Sequence, residues 1–239
     1  MGNWREELDI GNLRADKVSD KKGNVLPGTA LRTHFGFVED FIHFTDGDLL
    51  VVSGDVTPDL AEADGHGGVV TLAPDAATDN LDAYIATPKK SFKFQANKPL
   101  SCRARLKLTE ANTDDASIAV GFSSNADAIV NGGGPQSNYS GAMIFKVDGG
   151  TVWQAETSNG TTQNTDTDCG AFSDGSWADF EIVWDGRDNV RFYINDKLVS
   201  TQALSLTSIA DMFFVVGVKN GSANLETLHI DYVAVNGKR

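Results

Sequence analysis

Cysteine and basic residues are both scarce in this sequence of 239 residues. Two cysteines, Cys102 and Cys169, are too few for a disulfide framework or a cysteine-based metal cluster. We expect both to be plain thiols, with a bridge between them as the alternative. The 20 Lys and Arg residues face 33 Asp and Glu residues, which gives a net charge of −13. Because that charge repels phosphate groups, it argues against nucleic acid and anionic lipid as partners.

Long apolar runs are missing as well. No window approaches the ~18 to 20 consecutive apolar residues of a membrane-spanning helix, so we predict no membrane partner. The first residues, 1–7, are polar and contain no apolar segment of the kind found in signal peptides. We therefore expect a protein that is made and used in the cytoplasm, at least until any assembly is released.

The usual catalytic patterns are also absent. Glycosidases with a jelly-roll fold place two carboxylates on one strand face in an E-x-D-x-x-E or E-x-D-x-E run. This chain lacks such a run. Asp179 and Glu181 share a strand face, but a solvated pair is the alternative to a catalytic one. The chain has the basic strand of alginate-lyase-type jelly rolls, at 102–107, without their other motifs. The histidines lie far apart without H-x-H or H-E-x-x-H spacing: His34, His43, His66 and His229. We expect no enzyme.

Short runs with a period of two, separated by Gly, Asn and Asp, fill the chain from Phe35 onward. Hydrophobic residues make up 41% of the chain, enough for one packed core. The pattern predicts an all-β, two-sheet antiparallel jelly-roll sandwich over 35–239, preceded by an extended N-terminal arm, 1–34. The predicted strands are 49–52, 68–72, 82–86, 91–94, 100–108, 117–123, 142–147, 151–156, 177–184, 189–194, 197–203, 212–219 and 225–235.

The strongest local pattern lies at 177–199. Alternation puts Phe180, Ile182 and Trp184 on one strand face, and Asp185-Gly186 opens a hairpin turn. We predict that the core contains Phe180, Ile182, Trp184, Phe192, Ile194, Phe214, Val216, Ile230 and Tyr232.

The W-x-x-F-x-I-x-W-D-G run at 177–186, the F-Y-I-N-D-K-L-V segment at 192–199 and the closing strand at 228–235 resemble a known superfamily. They are similar to the C-terminal half of laminin-G-like and glycoside-hydrolase-16-like jelly rolls, of concanavalin-A-like fold. The resemblance implies the fold and says little of function, because this sandwich carries lectins, hydrolases, lyases and structural modules.

Three sets of residues are candidates for binding. The arm contains scattered apolar residues that a partner surface could cover, with an ordinary frayed terminus as the alternative: Trp4, Leu8, Ile10, Leu13, Val25 and Leu26. An exposed aromatic platform for a glycan could include Tyr139, Trp153, Asn159 and Asn164, although core packing of Trp153 is equally compatible. Acidic turns that could hold calcium contain Asp64, Asp166 and Asp168, with solvated turns as the alternative. Beyond this calcium, no cofactor is predicted.

Two functions remain open, with an unrecognised hydrolase or lyase as a third. The overall plan of an arm and a jelly roll resembles the capsid-associated proteins of tailed bacteriophages. That resemblance implies a virion structural protein, decorating or cementing a capsid, with the major capsid protein or neighbouring copies of itself as partners. The alternative is a lectin-like module that binds surface glycans.

Overall fold

The computed structural model describes residues 34–42, 51–54, 59–61, 68–112, 114–126, 130–131 and 134–239. These residues form strands and loops, and none of them lies in a helix. Accordingly, no helix in the described ranges is long and apolar enough to cross a membrane. The strands are β1 His34–Glu39, β2 Val51–Gly54, β3 Asp59–Ala61, β4 Val69–Leu72, β5 Asp82–Ala86, β6 Leu100–Thr109, β7 Ala116–Ser123, β8 Val130–Asn131, β9 Gly134–Pro135, β10 Ser140–Lys146, β11 Gln154–Asn159, β12 Gln163–Asp166, β13 Trp177–Trp184, β14 Asn189–Ile194, β15 Lys197–Ala203, β16 Phe213–Asn220 and β17 Thr227–Lys238.

Two antiparallel sheets form the sandwich, which confirms the predicted fold class. The eight-stranded sheet has the order β15-β14-β13-β6-β17-β4-β3, and β1 pairs with the C-terminal half of β17. The seven-stranded sheet has the order β12-β11-β10-β7-β16-β5-β2. Strands β8 and β9 form a separate two-stranded ribbon. Strands distant in sequence are neighbours in both sheets, as in a jelly roll.

The main core lies between the two sheets and contains eight of the nine predicted core residues. Trp184 is completely buried and its indole Nε1 donates to the Gln95 carbonyl at 2.9 Å. Phe94 packs against the same ring at a centroid distance of 5.5 Å. A buried tryptophan with a satisfied N–H contributes large apolar area without leaving an unpaired donor.

The ninth predicted core residue, Tyr232, is only half-buried, and that prediction was wrong. The pairing of β17 with β6 shifts between Ile230 and Tyr232, because Asp231 is an extra residue in the strand. The extra residue moves Tyr232 to the outer face of the sheet, while Val233 returns to the core. A period of two read from the sequence does not include such a bulge.

The turn predicted at Asp185-Gly186 is present between β13 and β14. The Asp185 carboxylate accepts hydrogen bonds from the backbone N–H groups of Arg187, Asp188 and Asn189 at 2.8 to 3.2 Å. Gly186 has a φ of +77°, a conformation that glycine adopts without strain. Hydrogen bonding to these amides lowers the pKa of Asp185 against the opposing effect of its desolvation.

Candidate ligand-binding face

The outer face of the eight-stranded sheet presents a group of half-buried polar and aromatic side chains, which we call the Trp177 face. Its position follows from alternation: the even-numbered residues of β6 from Cys102 to Leu108 enter the core, so the odd-numbered ones point outward. Pairing in register with β13 and β17 completes the group. The Trp177 face consists of Arg103, Arg105, Lys107, Trp177, Asp179, Glu181, His229, Asp231 and Tyr232.

Trp177 lies opposite Lys107 in the pairing of β13 with β6. The Lys107 Nζ atom is 5.1 Å from the centroid of its ring, and the Arg105 guanidinium carbon is 5.3 Å away. Cations at these distances are attracted to the indole ring. Both cations lie over the ring, so a ligand that contacts Trp177 also meets two positively charged donors.

One ion pair and one hydrogen bond hold two carboxylates of the Trp177 face in place. Arg105 Nη1 is 3.0 Å from Asp231 Oδ2, and the Tyr232 hydroxyl donates to Asp179 Oδ1 at 3.1 Å. Burial and the adjacent Asp179 carboxylate raise the pKa of Tyr232 to about 12. The tyrosine therefore keeps its proton near neutral pH and remains a donor. Arg105 Nε is buried and has no acceptor among the described residues.

Glu181 and His229 lie on either side of this centre. Arg103 Nη2 is 3.4 Å from Glu181 Oε2 and 2.9 Å from Asp196 Oδ1. Desolvation raises the pKa of Glu181, and the Arg103 charge opposes that change. His229 Nδ1 is 3.2 Å from the Thr71 hydroxyl, and burial, assisted by the Lys107 charge, lowers the pKa of the imidazole.

The outer face of the seven-stranded sheet is closed by a second apolar cluster. Tyr84, Met143, Phe145, Val215 and Tyr139 belong to it, all at most 1% exposed. The ring predicted to form a glycan platform at Tyr139 is therefore buried, and this prediction was wrong. Its main-chain carbonyl accepts from the Ser158 hydroxyl, which attaches the 139–140 segment to β11.

Trp153, the second predicted platform residue, is 6% exposed and lies in the main core. Its ring makes edge contacts with Phe180 and Phe172 at 4.8 and 5.5 Å between centroids. Trp153 is therefore packed in the core, which was the alternative stated for this residue. The two predicted aromatic rings thus contribute to separate apolar clusters and do not form a common surface.

The two predicted asparagines occupy the β11–β12 hairpin. Asn159 is nearly buried, and its side-chain oxygen accepts from the N–H groups of Thr161 and Thr162, so it stabilises the turn. Asn164 is exposed on β12, the edge strand of the seven-stranded sheet. Only Asn164 therefore remains accessible of the four residues predicted for glycan binding.

The calcium candidates are not brought together by the described structure. Asp64 lies outside the described residues. Asp166 accepts from the Asp168 N–H at 3.4 Å, the contact of an ordinary acidic turn. Within the described ranges, no group of three or more His, Cys, Asp or Glu side chains is placed to hold a metal ion. The six apolar arm residues, from Trp4 to Leu26, also lie outside the described residues.

The chain belongs to the concanavalin A-like lectin/glucanases superfamily, whose family model matches residues 78–237. Comparison with curated protein sequences gave no match. The family assignment confirms the resemblance drawn from the motifs at 177–186 and 228–235.

Solved structures share the fold at low sequence identity. The potassium-bound carbohydrate recognition domain of Emp46p is 12% identical with a TM-score of 0.58, over 82% of this chain and 94% of that one. SO2946, a protein of unknown function from Shewanella oneidensis MR-1, is 13% identical with a TM-score of 0.60, over 90% and 95%. A Bacteroides ovatus GH16 protein in complex with a glucan product is 16% identical with a TM-score of 0.54, over 83% and 99%. At these identities the likeness concerns the fold alone.

Proposed function

We propose that this protein is a non-catalytic carbohydrate-binding module and that the Trp177 face holds its ligand. One observation carries the proposal: a half-buried tryptophan is surrounded on an exposed sheet face by donors and acceptors held in place by one another. Sugars present apolar C–H faces and many hydroxyl groups, which suit an aromatic ring beside charged hydrogen-bonding groups. The likeness in fold to the Emp46p carbohydrate recognition domain supports the same class of ligand.

The proposal of a non-catalytic role rests on how the two neighbouring carboxylates are engaged. Asp179 accepts from Tyr232, and Glu181 pairs with Arg103, so each carboxylate already has a side-chain partner. A polysaccharide-degradation screen with the wild type and Asp179→Asn/Glu181→Gln tests this role. Activity in the wild type that disappears in the double variant would overturn it.

The ligand proposal is tested on a glycan array with the full chain and two single variants. Trp177→Ala should weaken binding at least tenfold, about 1.4 kcal/mol, because it removes the stacking surface. Phe213→Ala is the matched control: its ring is also half-buried and flanked by a lysine, with Lys90 Nζ at 5.6 Å, but it lies in the other sheet. Equal losses in both variants, or no bound glycan, would exclude the Trp177 face as a sugar site.

A second candidate function is decoration of a tailed-bacteriophage capsid, with the protein located in the virion. The observation that favours it is the exposure of two aliphatic side chains in the segment that follows the predicted arm. Val38 and Ile42 are 44% and 55% exposed, although large aliphatic side chains are usually buried. They lie on or just after β1, whose neighbour in the sheet is β17. An apolar contact with a capsid surface would cover them.

Mass spectrometry of purified phage particles tests the capsid proposal. We expect this chain in stoichiometric amount with the major capsid protein, whose gene should lie nearby. Particles that lack the chain, from cells that make it, would count against decoration. The two candidates are separable, because Trp177→Ala should not alter particle occupancy.

A further inference from the structure

Positive and negative side chains are concentrated at opposite ends of the sandwich. Strand β6 begins next to Lys98 and Pro99 and ends at Glu110. Strand β17 pairs antiparallel along it, with Gly237 opposite Leu100 and Thr227 opposite Thr109. The 87–99 connection and the C-terminal residues therefore lie at one end, and the loops 110–115 and 221–226 lie at the other.

The first end is basic in its described residues. The connection 87–99 contains four lysines and no Asp or Glu, and the Lys238 N–H donates to the Pro99 carbonyl at 2.9 Å, bringing Lys238 and Arg239 to the same place. A cavity of about 130 Å³ opens between Phe35, Leu100 and these cations. Asp211, 3.4 Å from Lys93, and the acidic residues of the turn at 185–188 offset only part of the charge.

The opposite end is acidic. The connections 73–82, 110–115, 147–153, 167–176 and 221–226 each contain Asp or Glu, and none contains Lys or Arg. Lys146, which reaches this end from β10, is fully buried and pairs with Glu110 at 2.7 Å, so it adds no positive charge to the surface. The acidic end has its own cavity, of about 410 Å³, lined by Glu110, Asp114, Asp174 and Phe172 among others.

We propose that copies of this protein associate head to tail, with the basic end of one copy on the acidic end of the next. Both complementary surfaces exist on every copy and face opposite ways along the strands, so a shift along the strand direction brings them together. Such a contact is heterologous, and its repetition forms a ring or a linear array. It does not use the Trp177 face, so it is independent of the ligand-binding function proposed above.

The net charge of −13 opposes association most strongly at low ionic strength. At physiological salt the screening length is about 8 Å, so a contact between two ends depends mainly on the charges at that contact. We expect association to be strongest near physiological salt and to weaken both at very low and at high salt. An apolar interface would instead strengthen at high concentrations of a salt such as sulfate.

Charge reversal at each end of the full chain tests the contact by sedimentation velocity over a concentration series. Lys89→Glu/Lys98→Glu removes the net positive charge of the basic end, and Asp79→Lys/Asp168→Lys lowers the negative charge of the acidic end; all four side chains are exposed. Each pair should weaken self-association at least about tenfold, because the attraction between the two ends is then reduced. An equimolar mixture of the two variants should still form pairs, because the unchanged acidic end of one variant meets the unchanged basic end of the other.

The variant with all four substitutions keeps the net charge of −13 and weakens both ends, so it should self-associate less than either single-end variant. This variant is the control for net charge, and unchanged circular dichroism spectra are the control for folding. A wild type that stays monomeric near physiological salt would overturn the proposal. So would single-end variants that associate like the wild type. A fourfold variant that associates like the wild type would contradict it as well, because both ends are weakened while the net charge is unchanged.

Discussion

At the scale of single residues, Lys146 and Glu110 form a buried ion pair. Lys146 has no exposed surface, and its ammonium group donates to Glu110 Oε1 at 2.7 Å and to the Ala116 carbonyl at 3.0 Å. The Glu110 carboxylate also accepts from the N–H groups of Asp114 and Ala116. Removing either partner leaves the other charge buried and unpaired, which is costly.

We therefore predict that Lys146→Met lowers the free energy of unfolding by about 3 to 5 kcal/mol, measured by urea denaturation. Lys93→Met is the matched control, since Lys93 pairs with Asp211 at the surface and should cost about 1 kcal/mol or less. Adding Glu110→Gln to Lys146→Met should recover part of the loss, because the unpaired charge is then gone. Similar small losses for both lysine variants would contradict the buried pair.

Glu156 supplies a pH dependence at the same scale. It is 5% exposed, and burial raises the pKa of its carboxyl above the usual 4.5, although Thr165 and Gln163 donate to it at 2.6 and 2.8 Å. A raised folded-state pKa means that the folded protein binds more protons than the unfolded chain. Stability due to this group is therefore complete below about pH 4.5 and is lost as the pH rises through the folded-state pKa.

The corresponding prediction concerns Glu156→Gln, which keeps the shape and removes the charge. The variant should be at least as stable as the wild type at pH 7, and its advantage should shrink as the pH falls to 4.5, measured by thermal unfolding across that range. Gln163→Ala is the control, because it removes one donor and should destabilise the charged form at pH 7. A Gln variant that is less stable at pH 7 than at pH 4.5, relative to wild type, would show that the carboxylate is stabilising.

At the scale of elements, the core-facing residues could be predicted for strands with one exposed face. They could not be fully predicted for strands buried on both faces. β13 and β14 alternate between core and surface, so the pattern at 177–194 assigned their core residues correctly. All residues of β7 and β10 are buried, because the second apolar cluster covers the outer face of their sheet. Without alternation, the sequence does not tell which face of these strands is displayed. Tyr139 directly precedes β10 and belongs to the same covered face.

Short polar elements were also missed. β12, with the sequence QNTD, has no apolar residue and forms only by pairing with β11. Conversely, the predicted strand at 91–94 is a single bridge between Phe92 and Met212. The Trp177 face was missed as a unit because its members come from β6, β13 and β17. The alternating Arg103, Arg105 and Lys107 were visible, but their partners follow from strand register alone.

The bulge in β17 gives a prediction about strand register. Deleting Asp231 removes the extra residue and leaves Tyr232 outside and Val233 inside, so the chain should still fold, losing mainly the ion pair to Arg105, about 1 kcal/mol. Deleting Ala234 shifts the strand by one residue and turns Val235, now 1% exposed, to the outer face. We expect that variant to be several kcal/mol less stable or unfolded, as judged by circular dichroism during urea denaturation. Equal tolerance of the two deletions would contradict the register.

At the scale of the whole molecule, the described part of the sandwich begins at His34. Strand β1 contributes Phe35 and Phe37 to the edge of the main core, and β17 holds it by antiparallel pairing from His34 to Glu39. The functional surfaces proposed for this body are distributed: a ligand face on one sheet, complementary charges at the two ends and exposed aliphatic residues beside β1. A small domain that uses several separate surfaces suits a binding or structural role.

The last prediction separates the arm from this body. Removing residues 1–33 should leave the far-UV circular dichroism spectrum and the melting temperature nearly unchanged, because the described core and sheets begin at His34. In the capsid role, the truncated protein should no longer sediment with phage particles.

The matched variant keeps the full length and changes the arm's apolar residues to serine: Trp4, Leu8, Ile10, Leu13, Val25 and Leu26. If apolar contact with a partner fixes the arm, that variant should also be lost from particles. Full occupancy by both variants would assign attachment to the sandwich, and unfolding on truncation would make the arm part of its core.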